Sequence, residues 1–489
     1  MRITLIQPKM QMRPMDTTLK TRMSPSLGLY TVATVVRDSN DLTFFNENIE
    51  DIDFDKPTDV VGITVTVDTL LNAARIARHY QEKGIPVIAG GIQITSCPES
   101  ARGMFDSLSI GFAEGTWPDI LHDLKNGCLK PEYKCINLLP EQIASPAYDL
   151  IDSGKYLYVN IISTSRGCPF KCSFCYNSSE NIRHSYVNRP IENILREIHI
   201  INRRHILFID DNFIGNPEWT RTFLETIRPM NLKWQAAVSA NVADIPGMLD
   251  LMRDSGCKSL FIGFESLNQE SINLSNKYQN SIAKYERLCN EIHKRGIMIN
   301  SSFVFGLDGD TPDTFRYTID WIVKNKIETV TSHILTPYPG TQLYTDFRYT
   351  GRITDLNQTN YTTSHVVFQP KGMTPEQLYE GYLQVYREVY SFKNIWHRLP
   401  DANRIAYLTF NLFYRKYGFF TEKVCRLVGY NRIGRVAEYI SKLGHSDITQ
   451  KHIDSKEHIL HNYIPNRTMI NERTVWLIAD STYKCKIRQ

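Results

Sequence analysis

Cys168, Cys172 and Cys175 sit in the run Ser165-Arg166-Gly167-Cys168-Pro169-Phe170-Lys171-Cys172-Ser173-Phe174-Cys175-Tyr176. All three thiolates are close enough in sequence to bind one metal centre. A four-iron four-sulfur cluster with every iron closed takes four protein ligands, so three thiolates leave one iron open to an outside ligand. Two plainer chemistries use the same residues. Zinc accepts three cysteines and one histidine in a closed tetrahedral site, and His184 is near enough to be the fourth ligand. The thiols could also be unliganded core residues, but three so close together among Gly, Pro, Lys and Ser do not read as core. Spacing of this kind is a sharper signal than a cysteine count.

A loop that presents three thiols to one centre needs a scaffold behind it. Over residues 155–345, apolar strands recur at 158–163, 206–209, 234–239, 259–264, 298–305 and 329–335. Helical patterns fill the gaps at 191–202, 219–227, 245–254, 282–295 and 312–324. Pro312 at the first turn and Asp313 near the positive end of the dipole signal the start of the last helix. Six strands with interleaved helices match a partial (β/α)6 barrel, too few for a closed eightfold one. Barrel chemistry sits at the carboxyl ends of the strands, and the cysteine loop 166–177 follows the first strand.

Ahead of the barrel, residues 1–127 also alternate. Strands are expected at 3–7, 42–45, 60–67, 85–89 and 107–110, with helices at 27–37, 70–83 and 118–124. This is the pattern of a doubly wound, Rossmann-like α/β domain with a parallel sheet covered on both faces. Ligands of such sheets bind outside the carboxyl ends of the strands. That rim holds Gln7, Thr64, Thr66, Gly90, Gly91, Glu114 and Gly115. The glycines let a ligand approach the backbone closely, and the threonines offer hydroxyls. Residues 128–154 are polar, carry prolines and read as a linker. Residues 346–489 read as a mainly helical C-terminal region. Its aromatic run 405–417 is most simply core packing, and a surface for an apolar substrate is the sharper alternative. Residues 371–489 carry 19 Lys+Arg against 11 Asp+Glu, whereas residues 1–370 carry 37 against 41. A solvated helical surface is the usual meaning of such a basic region.

With an aromatic, Phe174, before the third cysteine, and a six-unit barrel around the loop, the chain resembles the radical S-adenosylmethionine superfamily. The order and glycine placement of residues 1–127 resemble the cobalamin-binding domain that precedes the radical domain in many members. Together the resemblance covers about residues 1–345. It implies that Cys168, Cys172 and Cys175 hold a 4Fe-4S cluster whose open iron is chelated by S-adenosylmethionine. An electron from the cluster would then split the sulfonium to a 5′-deoxyadenosyl radical. It assigns Phe174, Asp211, Asn212, Ser239, Glu265 and Gly306 to S-adenosylmethionine, and the seven rim residues named above to cobalamin. Asp211 and Asn212 also suit a helix cap, and Glu265 at a strand tip needs a partner to be tolerated there. Tyr338-Pro339-Gly340-Thr341 resembles a turn of cobalamin-linked members and is equally well a plain turn. One departure stands out. Cobalamin domains with a lower axial histidine carry Asp-x-His-x-x-Gly after the first strand, where this chain reads Gln7-Pro8-Lys9-Met10-Gln11-Met12. Cobalamin would then bind without a protein imidazole, or the domain has lost its ligand.

Three functions follow. The first is a cobalamin-dependent radical enzyme, a C-methyltransferase on an unactivated carbon of a small-molecule or lipid-like substrate. The second keeps the fold for radical dehydration, deoxygenation or cyclisation without cobalamin. The third is a non-catalytic zinc-binding protein. Of the ten cysteines, the seven spread thinly outside 168–175 read as reduced thiols of a cytoplasmic protein rather than a disulfide framework. Neither a signal peptide nor an apolar run long enough to span a membrane is expected, and no nucleic-acid motif is found. The expected partners are a small-molecule substrate and an electron donor such as flavodoxin or ferredoxin.

Overall fold

The computed structural model describes residues 1–428 apart from Met15 and Thr18. The rest of the expected C-terminal region, with Cys485, lies outside the described residues. Four runs rich in Val, Ile and Leu make the centre of the first sheet, because a parallel strand buried on both faces needs no polar alternation. The strands are β1 (Arg2–Gln7), β2 (Asp41–Asn46), β3 (Val60–Thr64), β4 (Val87–Gly90), β5 (Ser107–Gly111) and β6 (Glu132–Cys135). All pair in parallel in the order β2-β1-β3-β4-β5-β6. The chain switches direction of travel between β1 and β3, which places the ligand crevice outside their carboxyl ends.

The helix Leu70–Gln81 covers one face through Leu70, Ala73, Ile76 and Tyr80. The helices Leu27–Val36 and Ala113–Lys125 cover the other through Leu29, Ala33, Trp117 and Ile120. Gly62 in mid-strand makes room for them, since a Cβ there would lie 2.9 Å from the Trp117 ring. Two expectations change. The stretch 132–135, expected inside a linker, is the edge strand β6, held by the single buried side chain of Tyr133 among polar neighbours. The helix expected from 118 starts at Ala113 and carries Pro118 within it.

The second sheet starts at β7 (Ile161–Ile162), much shorter than the expected 158–163. An antiparallel pair, β8 (Ser165–Arg166) and β9 (Val187–Asn188), then brackets the cysteine loop. The sheet continues with β10 (His205–Phe208), β11 (Lys233–Val238), β12 (Cys257–Glu265), β13 (Met298–Phe305) and β14 (Thr329–Ile334). Its order is β14-β13-β12-β11-β10-β7, parallel throughout. β7 and β14 are not paired, so the barrel is partial. Phe208, Phe213, Phe223 and Trp234 stack edge and face behind β10 and β11, and Cys257 and Cys289 are buried in the same core.

An open sheet leaves backbone groups unpaired along its edge, a liability that must be covered. The helix Pro375–Val389, begun by a Thr374/Gln377 capping box with Pro375 in its first turn, does this at β14. The Tyr390 hydroxyl accepts from Val330 N (2.9 Å) and donates to Val330 O (2.7 Å). The Tyr386 hydroxyl does the same at Ser332, at 3.0 and 3.1 Å. Residues two apart on a strand edge and four apart on a helix share nearly the same spacing, so one helix face satisfies one strand edge. Beyond it, Tyr407 is fully buried, while Phe413 and Tyr417 of the same aromatic run are 59% and 44% exposed. Core packing accounts for the first only. Tyr390→Phe is expected to strip Val330 of both partners and lower stability by about 1–3 kcal/mol, read as an earlier urea midpoint with an unchanged transition slope.

Candidate functional site

The cysteine loop leaves β7 and is fastened at once by a buried carboxylate. Asp210, at the tip of β10, accepts through Oδ1 from Thr164 N (2.9 Å), Thr164 Oγ1 (3.0 Å), Ser165 N (2.5 Å) and Ser165 Oγ (2.6 Å). Burial pushes its carboxyl up to about 6, against those hydrogen bonds. Further along, Ser173 N donates to Ser275 O and Leu343 N donates to Ser173 O, each at 3.0 Å. The loop is thus pinned at its start and its middle. Phe174 is half-buried and packs on the barrel core.

Burial raises the thiols of Cys168, to about 11, and Cys175, to about 12, and raises Cys172 as well. Cys168 and Cys175 each also feel the Cys172 thiol electrostatically. Two amides point at the sulfurs: Asn177 Nδ2 donates to Cys175 Sγ (3.6 Å) and Gln279 Nε2 to Cys172 Sγ (3.7 Å). Donors aimed at sulfur are what a thiolate ligand needs to stay deprotonated on a cluster. The donor set fits a 4Fe-4S cluster. It does not fit zinc. His184 is exposed and accepts from Arg183 Nε (3.1 Å), and among the described residues no three His, Cys, Asp or Glu side chains converge on one ion. A cubane takes each thiolate on a different iron, so its ligands stand apart.

The residues assigned to S-adenosylmethionine lie along the barrel tips next to this loop. Asp211 accepts from Asn177 Nδ2 (3.1 Å) and acts electrically on Cys168 and Cys175. Asn212 ties β10 to β11: its Oδ1 accepts from Ser239 N (3.1 Å) and its Nδ2 donates to Ser239 Oγ (3.3 Å). Glu265 ends β12 at a bulge, in the left-handed region with φ 64°. It is buried, and its Oε1 pairs with Lys277 Nζ at 2.5 Å. Burial lowers the Lys277 ammonium, but Glu265 and the Cys172 thiol outweigh it and hold it raised. Lys277, Gln279, Asn177 and Asp210 are the residues sequence reasoning missed. Gly306 has φ 97°, and a Cβ there would meet Leu378 (2.8 Å) and Phe368 (3.0 Å). On that side the glycine admits packing rather than a ligand.

The rim of the first sheet faces the same loop. A cleft of about 290 Å³ is lined by Thr64, Gly90, Gly91 and Glu114 on one side and by Arg166 and Gly167 on the other. Three rim residues fall elsewhere. Gln7 opens on a separate cavity beside β2, and Thr66 on a smaller chamber near Tyr176. Gly115 lies under Cys135 of β6, whose side chain fills the space a Cβ would need. Its expected place on the rim is taken by that edge strand. The two halves also touch directly. Asn181 Nδ2 donates to Thr95 O (3.0 Å), and Gly340, at φ 88°, lies against Ser96 O.

Cys168→Ala, Cys172→Ala or Cys175→Ala is expected to abolish binding of about four irons and four sulfides per chain, while Cys257→Ala keeps them. Iron and sulfide analysis after anaerobic reconstitution decides it. A second expectation concerns Asp310, whose carboxyl accepts from Gly306 N and Leu307 N and is pushed up to about 7 by burial. A raised acid favours the protonated folded state. Its contribution is complete below the ordinary range near about 4 and is lost as pH rises through about 7. Asp310→Asn should flatten that part of the profile of melting temperature against pH.

Residues 162–322 match the radical SAM superfamily model. The chain is 32% identical to a bacteriochlorophyllide d C-12(1)-methyltransferase of Chlorobaculum tepidum, over 84% of this chain and 93% of the relative. It is 27% identical to a bacteriochlorophyllide d C-8(2)-methyltransferase of the same organism, over 82% and 93%. Among solved structures, the cobalamin-dependent S-adenosylmethionine radical enzyme OxsB with aqua-cobalamin bound shares the fold. Its TM-score is 0.61 at 15% identity, over 94% of this chain and 83% of that one. The chain belongs to the radical S-adenosylmethionine superfamily.

Proposed function

We propose that this enzyme is a cobalamin-dependent C-methyltransferase acting on an unactivated carbon at the edge of a flat, tetrapyrrole-like small molecule. The observation that carries it is the shared cleft, in which the rim of the first sheet meets the cysteine loop. When bound, the cluster with S-adenosylmethionine supplies hydrogen abstraction and cobalamin supplies the methyl group. The chain's own residues bring those two supplies together. Arg166 and Gly167 border the cleft two and one residues ahead of Cys168, and Thr64, Gly90 and Glu114 border it from the other side. Among the described residues no histidine lines it, so the cobalt should lack a protein imidazole. The tetrapyrrole class is supported by what the two relatives act on. The electron is assigned to a flavodoxin or ferredoxin in the cytoplasm. No described helix is long and apolar enough to cross a membrane.

The test blocks one cofactor and spares the other. Gly91 is a poor place to do so, because at φ 101° a Cβ would lie 2.9 Å from both Val65 N and O. Gly28 lines the cleft, and a Cβ added to it would meet nothing within 4 Å. Gly28→Trp is expected to abolish cobalamin binding and methyl transfer while cleavage of S-adenosylmethionine and iron content persist. Spectroscopy of the wild type should show no histidine nitrogen on cobalt. Full turnover by wild-type enzyme rigorously free of cobalamin would transfer the assignment to a radical deoxygenase or cyclase.

A further inference from the structure

A second chamber, of about 190 Å³, lies on the other flank of the cysteine loop. Its walls include Arg13 and Lys20 from the segment after β1, Thr66 and Asp68 from the segment after β3, and Tyr176 and Tyr338 from the barrel. Tyr176, next to Cys175, stacks on Tyr338 with ring centroids 4.6 Å apart. Ile92 lines both this chamber and the cleft. Pockets for whole drug-sized ligands run to about 300–1,000 Å³, so this one admits an arm of a substrate rather than its body.

The polar groups of the chamber are unevenly satisfied. Asp68 accepts from Gln11 N (3.1 Å) and Thr66 Oγ1 (2.7 Å), and Asp16 holds Lys20 at 2.5 Å. Arg13 is half-buried, and the hydrogen bonds it makes are those of its backbone: its amide donates to Asp16 Oδ2 (3.2 Å) and its carbonyl accepts from Asp16 N (3.0 Å). Its guanidinium has no hydrogen bond or ion pair among the described residues. The Tyr176 hydroxyl is buried and also lacks a partner among them. The field is positive beyond the chamber as well. His333, on β14, is held neutral down to about 3, first by burial and then by Arg13, Lys20 and Arg415. A half-buried guanidinium without a partner gains from an anion that meets it, and its planar fork matches a carboxylate in two parallel hydrogen bonds.

We infer that this chamber receives a carboxylate-bearing arm of the substrate, with Arg13 as its counter-ion and the Tyr176 hydroxyl as a second donor. The inference rests on the tetrapyrrole reading above and specifies it: the substrate is a chlorin acid, not an ester. Held there, the arm fixes which edge of the ring is turned toward the cysteine loop and the neighbouring cleft.

Binding of chlorophyllide a and of its methyl ester to the reconstituted full chain, followed by fluorescence quenching, tests this without turnover. Wild type should bind the acid about 10–100-fold more tightly than the ester, the worth of a charge-assisted pair. Arg13→Gln should erase that preference by weakening the acid alone, and Arg13→Lys should restore part of it. Unchanged ester affinity shows that the variant is folded. Tyr176→Phe should cost the acid a further few-fold. If Arg13→Gln keeps the acid preference, the chamber assignment fails and the tetrapyrrole reading survives. If wild type binds neither compound, both fall.

Discussion

Everything at the active rim depends on one buried carboxylate oxygen. Asp210 Oδ1 gathers two backbone amides and two hydroxyls from Thr164 and Ser165, where the chain leaves a first strand only two residues long. So short a strand cannot orient a loop by its own ladder. The carboxylate does so from the neighbouring strand, and the nearby Arg189 adds to it. Arg189 N donates to Thr164 O (2.9 Å) and its Nη1 to Ser163 O (2.6 Å), while its side chain is paired with buried Glu197. A buried pair of this kind adds little net stability. It fixes geometry, and geometry is what a loop presenting three thiols requires.

The three-residue run that begins at Asp210 divides its labour in a way that composition could not reveal. Asp210 looks back to the loop's start, Asp211 looks toward the thiols, and Asn212 reaches sideways to Ser239. A strand that ends at the barrel mouth sends successive side chains in different directions, so adjacent polar residues serve different neighbours. A cofactor segment or a helix cap is as much as Asp211 and Asn212 disclose by their type and position. Asp210 escapes notice because its partners are about 45 residues away in sequence.

What is legible in the sequence is what repeats or clusters locally. Apolar runs at strand spacing mark the central members of both sheets, and the cysteine spacing marks the loop. The elements missed are those whose stability is not local. β6 has one apolar anchor, and its four residues pair only because β5 is already there. Gly115 reads as open rim until that strand covers it. Glu265 at its strand tip announces the need for a partner, but Lys277 is identified only by the turn that carries it back to that tip. Likewise Gly340 reads like any turn glycine. Its positive φ and its contact with Ser96 make it a point where the two halves meet.

That meeting explains why a doubly wound sheet and a partial barrel are useful to one another. Each architecture binds ligands at the carboxyl ends of its strands, and here residues that follow strands of the first sheet line a cavity on each flank of the cysteine loop. Arg166 and Gly167 at the loop's start face the cleft, and Tyr176 at its end faces the second chamber. The walls of both share Ile92, which is 36% exposed. Ile92 and the cysteine loop therefore contribute to the walls of both. For a reaction in which one centre creates a radical and another must quench it, that proximity matters more than affinity. The interval in which a carbon radical is exposed to water or to a stray hydrogen donor is set by how far it must move.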